Sequence, residues 1–194
     1  MGLLVMIFGL VLFLGVHTLT TQRELRGQII ASVGEGGYKI GYALASIAGL
    51  ALIVWGFAHY RATGWIDVWT PAVAFRHITV ALMLPAVILV VASYIRGRIY
   101  ATLKHPMLAG VKLWAAAHLL ANGDLGSMIL FGSFLGWAVF DRISLKHRAD
   151  AGAPPIPVGG PANDLIAVAV GVVAYLALGF AFHPVVIGVP VFGV

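Results

Sequence analysis

Residues 1–19 read MGLLVMIFGLVLFLGVHTL, and no charged residue occurs before Arg23. This length is close to the roughly 20 predominantly apolar residues that an α-helix needs to cross a bilayer. The stretch has neither the basic start nor the small-residue cleavage site of a secretory signal. It therefore predicts a retained first transmembrane helix.

The rest of the chain has the same apolar character. The protein has 194 residues, of which 61% are hydrophobic and 10% charged, and its mean hydropathy is +0.99. Soluble domains are about half apolar and about a quarter charged. These values exclude a soluble catalytic domain and predict an integral, multi-pass membrane protein whose surroundings are the lipid bilayer.

Five further apolar runs follow the first one. They cover residues 40–59, 73–95, 107–121, 125–140 and 165–182. Polar or Pro/Gly-rich stretches at residues 22–39, 61–71 and 141–161 are predicted to be loops, and Pro184 and Pro190 are predicted to break the tail. We expect an all-α bundle of about six transmembrane helices that forms one domain over residues 1–194.

The Lys and Arg residues predict the orientation of the bundle. The loops after the first, third and fifth runs carry Arg23, Arg26, Lys39, Arg96, Arg98, Lys104, Arg142, Lys146 and Arg148, whereas the loop after the second carries Arg61 and Arg76. Cytoplasmic loops are enriched in basic residues, so both termini are predicted on the non-cytoplasmic side. Because the positive charge is divided among short loops, we expect no nucleic-acid partner.

The absence of cysteine and the presence of seven histidines limit the metal chemistry. Without cysteine, the chain has no disulfides, iron–sulfur clusters, thiolate haem ligand or covalent haem attachment. The histidines are His17, His59, His77, His105, His118, His147 and His183. His147 lies in a basic loop, and all the others except His17 and His118 lie at or near predicted helix ends, where an interfacial histidine needs no special role.

His17 and His118 lie inside apolar runs on antiparallel helices. Counting helical rise from opposite membrane faces, and allowing for the tilt of side chains towards the helix N-terminus, predicts that the two imidazoles meet near mid-depth. This arrangement suits the two axial ligands of a haem b. The alternative is that each histidine forms hydrogen bonds across the bundle. A zinc site is disfavoured because no H-x-x-x-H pair or acidic residue lies in the apolar core.

Two residues one turn from His118 are candidates for the same cofactor site. Trp114 could stack on a ring system or simply pack against a neighbouring helix. Asn122 could form a hydrogen bond with the His118 ring or cap the hairpin between two helices. Lys112 could pair with a haem propionate or extend to the cytoplasmic interface.

The region around His118 resembles the NnrU family, which includes the plant and cyanobacterial 15-cis-zeta-carotene isomerase. The resemblance is carried by the string His105-Pro106-Met107-Leu108, then Leu113-Trp114, then Ala117-His118-Leu119-Leu120-Ala121-Asn122-Gly123-Asp124. Further similar segments are Val16-His17-Thr18, Ala58-His59-Tyr60-Arg61, and His183-Pro184 with Gly188-Val189-Pro190.

The resemblance implies an integral membrane haem b protein, with a bacterial inner membrane as the expected location. Residues at the family's proposed ligand positions are His17 and His118, and His59 matches a further histidine thought necessary in the isomerase. The isomerase has a cysteine three residues before the second ligand, proposed to exchange as a ligand with redox state. This chain has Ala115 there.

Three functions follow from these features. The first is a haem-dependent isomerase that acts on a cis double bond of a polyene or other apolar lipid. The second is a haem redox or gas-handling component, with an electron donor, linked to nitrite and nitric oxide reduction in denitrification. The third is a haem-free transporter or scaffold, for which few polar side chains are available to line a hydrophilic path.

Overall fold

The computed structural model describes residues 1–147 and 157–192, and this part of the chain is all-α. Seven helices follow one another as α1 (Gly2–Leu19), α2 (Arg23–Thr63), α3 (Val73–Ala92), α4 (Arg98–Leu103), α5 (Pro106–Ala121), α6 (Leu125–His147) and α7 (Pro161–Ala177). A π-helical segment, Leu178–Ile187, continues α7.

The predicted polytopic membrane architecture is confirmed. Among the described residues, α1, α2, α3, α6 and α7 with its π-helical continuation are long and apolar enough to cross a bilayer, and α5 is a shorter apolar helix. Large apolar side chains point away from the protein, including Leu4, Phe8 and Val11 on α1, which are 68%, 63% and 66% exposed. Such contiguous exposure is expected where lipid replaces water.

The predicted loop over residues 22–39 is wrong, because α2 begins at Arg23 and continues to Thr63. The glycines in this stretch indicated a loop, yet only Gly34 departs from helical geometry, with φ 75° and ψ 163°, and produces a kink. A glycine inside a helix costs only about 1 kcal/mol relative to alanine, so these glycines need not end the helix. Beyond the kink, an ion pair of 2.7 Å between Glu35 and Lys39 supports the exposed face.

Three other boundaries differ from the prediction. The basic stretch after α3 contains the short helix α4, and α6 continues through residues 141–147, which were predicted as linker. Residues 148–156 of that predicted linker, with Arg148, lie outside the described residues. The prediction that Pro184 breaks the tail is wrong, because the π-helical segment passes through Pro184 and ends at Ile187.

The chain forms two compact units, and the first contains α1, α2 and α6. In this unit α1 runs antiparallel to α2 through two pairs of glycines spaced seven residues apart, Gly2 and Gly9 on α1 and Gly49 and Gly56 on α2. These small residues let the two backbones touch, as in other tight membrane helix pairs. Because Phe13 contacts Phe134 and His17 contacts Trp137, α6 runs parallel to α1.

The second unit contains α3, α4, α5 and α7 with the π-helical segment. The backbones of α3 and α5 approach each other at Gly110, where an added Cβ would lie 2.8 Å from the Ala86 carbonyl oxygen. Asp164, near the start of α7, accepts 3.0 Å hydrogen bonds from the Arg98 and Ile99 amides and so caps α4. In the second unit, α5 and α7 both run antiparallel to α3. Within each unit these directions are the ones expected if successive membrane helices cross the bilayer in alternate directions.

Candidate functional site: two histidine clusters

His17 lies in an aromatic cluster of the first unit. Its ring is 4.2 Å from that of Phe13, 5.2 Å from that of Tyr42 and 5.8 Å from that of Trp137, measured between centroids. The Nδ1 atom lies 2.6 Å from the Phe13 carbonyl oxygen. Since a carbonyl can only accept, Nδ1 carries the proton, and Nε2 is the nitrogen with a lone pair in the neutral ring.

His118 lies on α5 in the second unit and has the same local arrangement. Its Nδ1 donates to the Trp114 carbonyl oxygen over 2.9 Å, and the Trp114 ring lies 5.5 Å away. Ala115 and Ala117, which lie between Trp114 and His118 in the sequence, are fully buried. A hydrogen bond from one ring nitrogen to a backbone carbonyl is the usual way that proteins orient a metal-binding imidazole.

The same backbone hydrogen bond also occurs at a histidine with an ordinary surface position. His147, at the exposed end of α6, holds its Nδ1 2.9 Å from the Ile143 carbonyl oxygen. This bond is therefore compatible with ligation at His17 and His118 but does not distinguish them from other helical histidines.

His183 is a neighbour of His118 that the sequence analysis did not include in the site. The two rings lie 6.2 Å apart with an interplanar angle of 26°. The Nδ1 atom of His183 is buried and has no hydrogen-bond partner among the described residues. Sequence reasoning assigned His183 to a helix end, although His183-Pro184 was among the segments that carry the family resemblance.

The remaining predicted site residues occupy separate positions. His59 stacks on Trp55 at 5.6 Å, near the Gly2 end of α1. His17 is fifteen residues beyond Gly2, a rise of about 22 Å, so these two histidines lie at opposite ends of the α1–α2 pair. Asn122 follows the last residue of α5 and belongs to the first unit. Because His17 and His118 belong to different units, their convergence stays a prediction.

Two apolar grooves accompany the histidine clusters. In the first unit, α1 and α6 border a groove of about 270 Å³ that includes Leu14, Gly15 and Thr18, within one turn of His17. In the second unit, α7 and its π-helical continuation border a groove of about 570 Å³ lined only by apolar residues, among them Ala174, Ala181 and Val185. The second groove has the apolar lining that an acyl or polyene chain requires, whereas the lining of the first also includes Thr18 and Ser133.

The described residues contain no group of three or more His, Asp or Glu side chains that could hold a metal ion. A zinc site with a full set of protein ligands therefore finds no support in this part of the chain. Pairs of histidines are available, and they suit a metal that obtains its other ligands from a macrocycle.

The comparisons with known proteins agree with the helix pattern. The family model described as "NnrU protein" matches residues 5–191. No curated protein and no solved structure matches this chain significantly.

Proposed function

Because this chain belongs to the NnrU family, we propose that it is an integral membrane protein that binds haem b through His118 and isomerises a cis double bond of an apolar polyene in a redox-dependent reaction. The observation that carries the proposal is the His118 cluster. There, an imidazole oriented by the Trp114 carbonyl lies beside a second imidazole and two fully buried alanines.

The residues present fit a haem better than a bare metal ion. The buried, unpartnered Nδ1 of His183 is a polar atom for which the described structure offers no hydrogen bond. Buried polar atoms without partners cost about 1–3 kcal/mol, so a polar ligand group placed at this atom would be stabilising. The sequence and the family resemblance predict His17 as the other residue that would hold the haem.

The protein contributes orientation and an apolar environment to the proposed reaction. A bound haem would supply an iron that exchanges electron density with a conjugated chain when one coordination position is open. The hydrogen bond from His118 Nδ1 to the Trp114 carbonyl fixes the tautomer and directs Nε2 as the coordinating nitrogen. The groove along α7 and its π-helical continuation, in the same unit as His118 and lined only by apolar residues, offers an apolar surface to the substrate.

Absorption spectroscopy tests haem binding first. Protein purified from a haem-sufficient host should show a Soret band that is lost in His118→Ala and retained in His147→Ala, which removes a histidine with the same backbone hydrogen bond. A wild-type protein without a Soret band would remove the haem proposal. Reduced protein mixed with 15-cis carotenes should then change their absorption spectrum, and an unchanged spectrum would remove the isomerase proposal.

A haem redox or gas-handling role is the second candidate function. It is favoured by Ala115, which is fully buried and stands where the isomerase has a cysteine. A side chain without a ligating atom cannot exchange with histidine at the iron. This role predicts that the reduced haem binds nitric oxide with a spectral shift, whereas a haem inert to nitric oxide would exclude it.

A further inference from the structure

We propose that the second unit binds the phosphate-bearing headgroup of an anionic phospholipid at the turn between α3 and α4 and at the residue that ends α4. The cations at this position are Arg96, Arg98 and Lys104, which we call the basic cluster. All three belong to the second unit. The interaction requires no haem, so it goes beyond the proposed function.

The charge around the basic cluster is strongly unbalanced. Asp164 is the only acidic side chain among the described residues of the second unit. Its two carboxylate oxygens each accept a 3.0 Å hydrogen bond from a backbone amide, one from Arg98 and one from Ile99. The first amides of α4 are thus satisfied within the chain. The three cations outnumber the one carboxylate beside them, and an anionic partner would complement the excess.

The backbone that carries the two arginines is held by the start of α7 and the residues before it. The Arg96 carbonyl oxygen accepts the Gly159 amide over 2.8 Å and the side-chain amide of Asn163 over 2.9 Å. Gly97 packs so closely on Asp164 that an added Cβ would overlap the carboxylate. With the two bonds to Asp164, four hydrogen bonds fix this turn. A rigid turn loses little conformational entropy when a ligand binds.

The arginine side chains are suited to bind a phosphate. The Arg96 guanidinium lies 5.3 Å from the centroid of the Tyr100 ring, and its Nε donates to the Ser93 carbonyl oxygen over 3.4 Å. These contacts use the face and Nε of the guanidinium, whereas a phosphate is bound through the terminal nitrogens as well. Arg98 and Lys104 are exposed. The three cations can therefore reach one anionic group outside the helices.

Lys104 has an energetically costly backbone conformation. Its φ is 62° and its ψ is −35°, and no other non-glycine residue in the described part of the chain has a positive φ. Across it, the His105 amide donates to the Leu103 carbonyl oxygen over 2.7 Å, which closes a three-residue turn of the rare, strained type. Glycine would adopt this turn without strain. A lysine here indicates a role for the side chain.

The surroundings of the basic cluster match the headgroup region of a bilayer. The apolar helix α3 ends at Ala92, just before the turn. Tyr94 is 74% exposed, and Leu103, next to Lys104, is 41% exposed. Tyrosine is enriched at the membrane–water interface, and basic residues beside a membrane helix attract anionic lipids. A phospholipid, which carries acyl chains beside its phosphate, fits this surface better than a free phosphate ion does.

Lipid binding is tested by native mass spectrometry of the full-length protein in detergent, with phosphatidylglycerol and phosphatidylcholine as probes. The wild type should bind phosphatidylglycerol more tightly. Arg98→Gln and Lys104→Gly should each weaken this binding about fivefold, the contribution of one basic residue near a membrane surface. Arg76→Gln is the matched control, because it removes an exposed cation near the opposite end of α3 and should leave the binding unchanged.

Lys104→Gly also separates lipid binding from folding. It removes the charge and relieves the positive φ, so it should bind phosphatidylglycerol more weakly while its melting temperature is no lower than that of the wild type. Equal binding of the two lipids by the wild type would overturn the proposal, and so would an equal loss in Arg76→Gln. Displacement of phosphatidylglycerol by inorganic phosphate at the same concentration would identify a free phosphate site and also overturn it.

Discussion

The hydroxyl of Thr79 donates a 2.7 Å hydrogen bond to the carbonyl oxygen of Ala117, the residue directly before His118. Thr79 is only 8% exposed and lies on α3, so the bond fixes the position of α5 against α3 where the candidate ligand projects. A hydrogen bond between membrane helices has few competitors in the apolar surroundings. It therefore contributes both to stability and to the orientation of His118.

Replacing Thr79 by Val should lower the free energy of unfolding by roughly 0.5–1.5 kcal/mol, because the side-chain shape is kept and the donor is lost. Thr79→Ser keeps the hydroxyl and should lie closer to the wild type. Thermal unfolding in detergent, followed by circular dichroism, measures both. Equal stability of Thr79→Val and wild type would contradict a contribution from this bond.

The α1–α2 contact gives a second prediction. A Cβ at Gly49 would lie 2.8 Å from the Phe13 amide nitrogen, so Gly49→Ala must push the two helices apart and should destabilise the protein by about 1–3 kcal/mol. Gly41 lies on the same helix with no heavy atom within 4 Å of its Cβ position. Gly41→Ala should instead be neutral or stabilising by up to about 1 kcal/mol, because alanine favours the helix.

Opposite shifts of the melting temperature in these two variants would establish that backbone contact, and not helix propensity, makes Gly49 necessary. Gly49 packs on Phe13, and the Phe13 carbonyl accepts a hydrogen bond from His17 Nδ1. Because Trp137 lies beside the His17 ring, its fluorescence should change in Gly49→Ala and not in Gly41→Ala. A similar loss of stability in both variants would argue against the proposed packing.

Hydropathy was sufficient to predict where most helices lie, but not where they end. The uncharged run over residues 1–19 became α1, and the run over residues 107–121 became α5, which begins one residue earlier at Pro106. The glycines of residues 22–39 were misleading because a glycine inside a helix costs only about 1 kcal/mol relative to alanine, which the rest of a long helix can offset. Only Gly34, with its positive φ, has a geometry that breaks the helix.

The sequence identified individual embedded histidines, but it did not predict which histidines lie next to each other. The apolar neighbours of His17 and His118 identified both as embedded residues, since the burial of a polar ring can be inferred from local sequence. His183 is 65 positions from His118, and its proximity depends on α7 continuing as a π-helical segment that reaches His183 just before Pro184. Proline predicts an interruption there, so local rules could not bring His183 into the site.

Asp124 gives a third prediction, at the start of α6. Its side chain is 1% exposed, Oδ1 accepts the Ser127 amide over 2.9 Å, and Oδ2 has no hydrogen-bond partner within residues 1–147 and 157–192. Asp124→Ala removes the cap and should cost about 0.5–2 kcal/mol. Asp124→Asn keeps a capping oxygen and replaces the unpartnered carboxylate oxygen, so its stability should equal or exceed that of the wild type.

Thermal unfolding of the two Asp124 variants distinguishes the contribution of the helix-capping hydrogen bond from that of the negative charge. A loss in Asp124→Asn as large as that in Asp124→Ala would mean that the negative charge itself is required. The backbone pairing of this segment, in which the Gly123 carbonyl accepts the amides of Val68 and Trp69, should persist in both variants because it involves no side chain of Asp124.

The orientation predicted from Lys and Arg can be tested with the chain's own lack of cysteine, which provides a background free of native thiols. Gln22 and Thr70 are exposed residues that flank α2 and so lie beyond its two ends. In intact cells, a membrane-impermeant maleimide should label Thr70→Cys and should label Gln22→Cys only after permeabilisation. The physical reason is that basic residues near helix ends are retained on the cytoplasmic side, which places Gln22, next to Arg23, inside. The reverse labelling pattern would place both termini in the cytoplasm, and labelling of both cysteines in intact cells would contradict a membrane crossing by α2.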